Sequence, residues 1–329
     1  MPALATHYLC GSRMISLIED DKIKKHISSF RNVFNLGTQG PDLLFYHSAW
    51  PWTKSKGIPE VGNRLHDAKT GQFISEALKY SSCSEENQKN LLAAYLYGYL
   101  CHYALDCHTH PYIFYKTGFV RKGEKYSDKY TCYHRMFETA LDVFMLEREL
   151  GLKPSEFNAS EKIRVSGRTS ASIGEMYAAI LKRVYSENIS TATVCQAITD
   201  IAAVSAALRD RTGIKKLLLE KVEKLMGKCP MFSSMILPLA IKDRRDYLNL
   251  LHNTWSLPWD PSSRRTDSFT DMFEAAAAEA AKLCTAAKDY IYDGVEIEEA
   301  MSLIGNRSFS TGMDCSLDNE FVAYDCIYV

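Results

Sequence analysis

The sequence predicts an all-α protein, and three observations carry that prediction. Apolar residues recur at the three-to-four spacing of helices almost throughout. No stretch alternates apolar and polar residues with the Val, Ile and Thr richness of a sheet. Capping residues, glycines and prolines fall where helices of ordinary length would begin and end.

Taken in order, the first helix is expected from Thr6 to Glu19, and the glycines and proline of GTQGPD (Gly37 to Asp42) mark a turn. After a loop holding Trp50 and Trp52, Arg64 to Tyr80 is amphipathic. Ser82 with Glu85 reads as a capping box for a long helix running past His102, which Pro111 is expected to end. A Lys- and Gly-rich loop, Arg121 to Asp128, leads to a helix from Tyr130 to Leu150, closed by Gly151 and Pro154. Further helices are expected over Ala171 to Tyr185, Thr191 to Met226 with a break at Gly213, Ser233 to Asn253, and the alanine-rich Phe269 to Tyr292, with a loop at WSLPWDPSSRR. No internal repeat and no long linker interrupts them. We therefore expect one helical domain over residues 1–304 and a C-terminal tail over 305–329, where no period is evident.

The 329 residues include 39 basic and 40 acidic side chains, and 46% are apolar. This composition suits a globular chain with a sizeable core and excludes a disordered tail, a disulfide-dense miniprotein and a polybasic nucleic-acid arm. A net charge of -1 supplies no global field for phosphate backbones, so an anionic substrate needs a local site. The first residues lack the basic-then-apolar order of a signal peptide, and no run of about 18 apolar residues is apparent, so the expected location is cytoplasmic. The ten cysteines, with no CxxC pair, then read as small buried residues in a reducing compartment.

Of nine histidines, four fall between Leu100 and Arg135, among carboxylates at helical spacing. His102 and Asp106 stand four apart, so one turn places imidazole and carboxylate on the same face. His110 continues that face by a further turn, whereas His108 points to the far side, which makes His110 the preferred donor of the two. His134 and Glu138 repeat the spacing, and Asp142 extends their stripe. Two such helices packed face to face would aim N and O donors at one point. Zinc suits that mixture, because calcium and magnesium sites are normally oxygen-rich without imidazole. His7, Asp42 in its GPD turn and His66 are weaker candidates upstream, since each residue type also caps turns or sits in solvent.

The order His7, Asp42, His66, His102-x3-Asp106, His110, His134-x3-Glu138 resembles the zinc-dependent phospholipase C family, more narrowly its unsecreted bacterial branch. The single-strand-specific nucleases share that scaffold. The resemblance covers roughly His7 to Asp142 and implies an all-α domain holding three zinc ions in a cleft. By motif order, Asp42, His66, His102 and Asp106 would bind one zinc, with Asp106 bridging to another. His110, His134 and Glu138 would hold the second, and His7 the third together with the chain terminus. Removal of Met1 would expose the Pro2 amine for that last role.

The activity expected is hydrolysis of a phosphodiester, with zinc-activated water attacking phosphorus in line and Asp42 orienting or deprotonating it. The expected substrate is a phospholipid or other small diester, with peripheral membrane contact and no stable nucleic-acid binding. Phe45, Tyr46, Trp50 and Trp52 are candidates for a cation-π box, or for ordinary core packing. Two further readings stand beside this one: a single-strand nuclease or 3′-nucleotidase on the same metals, and a catalytically idle zinc-stabilised structural protein.

Overall fold

The computed structural model describes all residues except 1–3, 51–52, 54–56, 122–123, 126, 228, 231 and 318. Pro2 and Trp52 therefore lie outside the described residues. The chain is all-α apart from one small hairpin. It opens with α1 (Leu4–Leu17), α2 (Asp21–Ser29) and α3 (Arg31–Gly37), then a 3-10 helix (Gly40–Tyr46). Next come α4 (Ile58–Asp67), α5 (Thr70–Ser82), α6 (Glu86–Thr117) and α7 (Lys129–Leu150). The remainder comprises α8 (Ala159–Ile163), α9 (Gly167–Tyr185), α10 (Thr191–Leu208), α11 (Ile214–Leu225), α12 (Phe269–Asp293) and α13 (Ile297–Ile304). Before α12, antiparallel strands β1 (Trp255–Leu257) and β2 (Asp260–Arg265) pair where a loop was expected.

Helix α6 is the axis of the fold. From Leu91 to Asp106 nearly every side chain is buried, which only a helix surrounded by others achieves. Along one side lies α12, whose small Ala276, Ala277, Ala280 and Ala287 let the two helices approach closely. Across another side runs α3. A Cβ on Gly37 would fall 2.1 Å from the Tyr95 carbonyl oxygen, and one on Gly98 would fall 2.1 Å from that of Phe34, so only glycine fits this crossing. One apolar core gathers the N-terminal part of α6 with α3, α9 and α10. A second forms around Tyr112, Phe137, Trp255, Phe269 and Phe273.

Several boundaries differ from expectation, each for a local reason. Pro111 lies inside α6 instead of ending it. The proline costs about 3 kcal/mol, but the turn after it buries Tyr112 and Ile113 in the second core, and the Tyr112 hydroxyl donates to the Tyr247 carbonyl. The expected helix over Arg64 to Tyr80 is two helices, broken where Lys69 takes a positive φ of 57°. That bend is held from outside, by the Tyr185 hydroxyl donating to the Ala68 and Lys69 carbonyls. Ser82 belongs to α5, where its hydroxyl donates to the Lys79 carbonyl, so no capping box forms with Glu85. Instead of one helix over Ser233 to Asn253 there is a single 3-10 turn, Ser233–Met235. Pro238 lacks the amide a helix needs, and Asp246 accepts from the amides of Leu250 and Leu251, which turns the chain.

Among the described residues, helix α10 alone is long and apolar enough to cross a bilayer by length and composition, a test that a buried core helix also passes. Here Val194, Ala197, Ile198 and Ile201 face the core, and Asp200 accepts from the Ser48 amide. Eight cysteines are free, but Cys132 and Cys229 form a disulfide, their Cα atoms 6.4 Å apart across 97 residues of sequence. Nothing in the spacing of the cysteines announced that pair. The segment after α13 lies on the helices, and its Phe309 is fully buried against Tyr99, Tyr103 and His66.

Candidate metal centre

Five elements gather eight side chains, seven of which line one cleft while His102 is fully buried beside them. His7 comes from α1, Asp42 from the 3-10 helix, His66 from the last turn of α4, His102, Asp106 and His110 from one face of α6, and His134 and Glu138 from α7. Their ligating atoms form three groups: Asp42, His66 and His102; His7, His102 and Asp106; and His110, His134 and Glu138. Within each group these atoms lie no more than 4.8 Å from one another. His66 Nε2 is 3.0 Å from Asp42, and His102 Nε2 is 3.0 Å from Asp106. Asp106 stands at the junction, 3.4 Å from His7 Nε2 and 3.7 Å from His110 Nδ1. Glu138 closes the other end, 3.2 Å from His134 and 3.6 Å from His110.

The way these imidazoles are held fits metal binding. The Nδ1 atoms of His66, His102 and His110 lie 2.8, 3.2 and 2.9 Å from the carbonyl oxygens of Gly62, Thr38 and Phe309. A proton placed on Nδ1 leaves the Nε2 lone pair directed into the cleft, the tautomer that a metal ligand needs. His102 Nε2 and His7 Nδ1 are buried without a hydrogen bond, although the former lies 3.0 Å from Asp106. An orphaned buried nitrogen is costly, and a cation would satisfy one with a free lone pair.

Electrostatics agree with that reading. Burial alone would raise the carboxyl groups of Asp42 and Asp106, yet both are held below the usual carboxylate range chiefly by the imidazoles around them, His66 and His102 for Asp42 and His102, His110 and His7 for Asp106. His7 is pushed down to about 4 by burial and by its stacking partner His102, so it is neutral at neutral pH. Burial also lowers His134. Against burial, the Asp106 and Glu138 charges raise His110 to about 9, and the hydrogen bond to Asp42 raises His66. Surplus negative charge is thus stored in the cluster as proton affinity, which a metal ion would draw on by displacing protons.

The two less favoured candidates, His108 and Asp142, point elsewhere. His108 lies across α6 from the cluster, where Nε2 meets Glu279 at 2.6 Å beside Arg307. Asp142 sits one turn beyond Glu138 but turns to the start of α1, accepting from the Ala5 amide at 3.2 Å and from the Thr6 amide and hydroxyl at 2.7 Å each. Tied down in this way, the first turn of α1 presents His7 to the cleft. Of the four aromatic candidates, Phe45 lines the cleft and stacks on His66, whereas Tyr46 is buried in the core.

The cleft has a volume of about 650 Å³, with Phe45, Phe114, Phe119 and Tyr130 along its walls and Arg135 beside His134. Sequence reasoning missed Arg135 and missed Phe309, which wedges between the rings of His66 and His102 while its carbonyl orients His110. A residue that lies 199 positions after His110 carries no local signal of that contact.

An all-α domain that merges His-and-carboxylate triads in one open cleft has the donor set of a zinc hydrolase rather than of a closed, cysteine-rich structural site. Residues 6–188 match the family model described as zinc dependent phospholipase C, and the chain belongs to that family. No curated protein and no solved structure matches it.

Proposed function

We propose that this chain hydrolyses phosphodiesters by the phospholipase C reaction, in which water attacks phosphorus and the products are a phosphomonoester and an alcohol. For a phospholipid these are the head-group phosphate and diacylglycerol. The observation that carries the proposal is the convergence of three donor triads, two of them sharing His102, on a single cleft. In this reading Asp42, His66 and His102 would hold one zinc, His110, His134 and Glu138 a second, and His7 a third, with Asp106, which lies near His7, His102 and His110, as a further donor.

Zinc bound there would neutralise the phosphate and bring the pKa of bound water towards 7. The chain's own groups supply the rest. Asp42 is ionised and lines the cleft, so it can orient the attacking water and take its proton. Arg135 offers a fixed positive charge to the anionic oxygens of the diester, and the phenylalanines keep bulk water from the reacting atoms.

A nuclease needs cations along its groove to follow a phosphate backbone. Among the described residues lining this cleft, Arg135 is the one cation besides the histidines, which supports a small diester or lipid head group over a strand. Turnover of a phosphocholine diester and cleavage of single-stranded DNA, assayed on protein of measured zinc content, test the proposal. Diester hydrolysis without DNA cleavage is expected. Fewer than two zinc ions per chain, or activity on DNA alone, would overturn it.

A further inference from the structure

Helix α11 is amphipathic with its faces reversed. Ile214, Leu217, Leu218, Val222 and Leu225 recur at three-to-four spacing, the pattern of a helix that buries one stripe. Yet these residues are 57%, 58%, 59%, 51% and 88% exposed. The stripe that faces the protein carries Lys216 and Glu223 together with the half-buried Leu219. Glu223 is buried and accepts from the amides of Phe232 and Ser233, and the Lys216 ammonium donates to the Ser233 and Ile236 carbonyls. This side is fully partnered, so the outward direction of the apolar row is built in by hydrogen bonds. Met226 and Phe232, just beyond the helix, are exposed too.

Basic side chains accompany the row. Lys221 falls within it and Lys224 beside it, both exposed, and no ion pair among the described residues engages either. The chain after the helix reaches Cys229, which is bonded to Cys132 of α7, the helix that carries His134 and Glu138.

We propose that α11 is a docking helix for an anionic phospholipid surface, which it enters with Leu217, Leu218, Val222 and Leu225 while Lys221 and Lys224 meet the head groups. A leucine row at this exposure is stable once it leaves water, and lysines beside it can lay their stems along the apolar layer and keep their charges in the phosphate layer. A second copy of the chain suits the face poorly. In a two-fold pairing centred on the row, Lys221 of one copy would approach Lys221 of the other. A membrane supplies the opposite charge instead. The choice of lipid over another partner rests on the phospholipase reading above, since a soluble enzyme acting on bilayer lipid has to reach the interface.

The test is flotation of the full-length, zinc-loaded protein with phosphatidylcholine vesicles, with and without phosphatidylglycerol. We expect co-flotation with the anionic vesicles, at least about tenfold weaker for the double variant Leu218→Ser/Leu225→Ser. For Lys221→Gln/Lys224→Gln we expect the preference for phosphatidylglycerol to be lost. Both variants should hydrolyse a short-chain, monomeric phosphodiester at the wild-type rate with unchanged helical content. Because binding and turnover are read separately, a protein that floats but does not hydrolyse leaves docking standing and sinks the enzymatic reading. Failure of the wild type to float would overturn the docking helix. So would a dimeric mass in solution that Leu218→Ser/Leu225→Ser makes monomeric.

Discussion

Gly40 is where the fold and the candidate metal centre press on one another, and Gly40→Ala separates their contributions. The residue has a positive φ of 49°, and an added Cβ would lie 2.3, 2.5 and 2.8 Å from Cδ2, Cγ and Nε2 of His102. Strain from the backbone costs about 1 kcal/mol. Relieving the overlap adds about 1–3 kcal/mol, because the ring is walled in by His7 and Phe309 and held at Nδ1 by the Thr38 carbonyl. We expect a total loss of about 2–4 kcal/mol in urea unfolding of the chelator-treated protein. Gly151→Ala is the control: its φ is 64°, but nothing lies within 4 Å of the added Cβ, so it should lose only about 1 kcal/mol. His102 belongs to two of the three donor groups, so Gly40→Ala should also lower the zinc content measured by elemental analysis, and Gly151→Ala should leave it unchanged. Equal stability losses in the two variants, with equal zinc content, would refute the placement of His102.

Other expectations follow from single side chains. His102→Ala should cost more zinc per chain than His134→Ala, since His134 belongs to one group only, and elemental analysis of both variants decides it. Asp42→Asn should lower kcat by about 10²–10⁴-fold if Asp42 handles the proton of the attacking water, with steady-state hydrolysis of a phosphocholine diester as the measure. Burial raises the Asp142 carboxyl from 3.8 to about 7, so between those values the folded chain keeps a proton that the unfolded chain releases. Stability should fall as pH rises through that window, by at most about 4 kcal/mol, and urea unfolding of Asp142→Asn with chelator present should lack this component of the slope. Thiol titration of the denatured, unreduced protein should find eight free cysteines, and reduction should add two.

Helical segments were legible wherever a long amphipathic or alanine-rich run had a local stop. The expected boundaries of α7, closed by Gly151 at φ 64°, and of α12, opened by Ser268 and Asp271, nearly match those found. Legibility failed where distant contacts overrode a local signal. Pro111 was read as a terminus because its cost is local, whereas the burial of Tyr112 that offsets it depends on Phe137 and Trp255. Short α2 and α3 escaped notice, although Asp20 caps the first by accepting from the Lys22 and Ile23 amides.

Within the candidate site the same division holds. Spacing along a single helix determines which side chains share a face, so His102, Asp106 and His110, and likewise His134 and Glu138, could be grouped from the sequence alone. The same spacing directs His108 away, to where it meets Glu279. Asp142 shares the stripe of Glu138 but not its surroundings, because helical periodicity names a face without saying which neighbour that face meets, and the neighbour here is the first turn of α1. Whether His7, Asp42 and His66 join the cluster, which carbonyl orients each imidazole, and that Phe309 fills the gap among them were decided only in the tertiary structure. So was the reversal of α11. Its sequence prescribes a strong apolar stripe, but hydrogen bonds that Lys216 donates to, and Glu223 accepts from, a chain segment beyond the helix decide which side meets water. Periodicity is a property of the backbone and travels with the sequence; contact between elements depends on how the whole chain closes around α6.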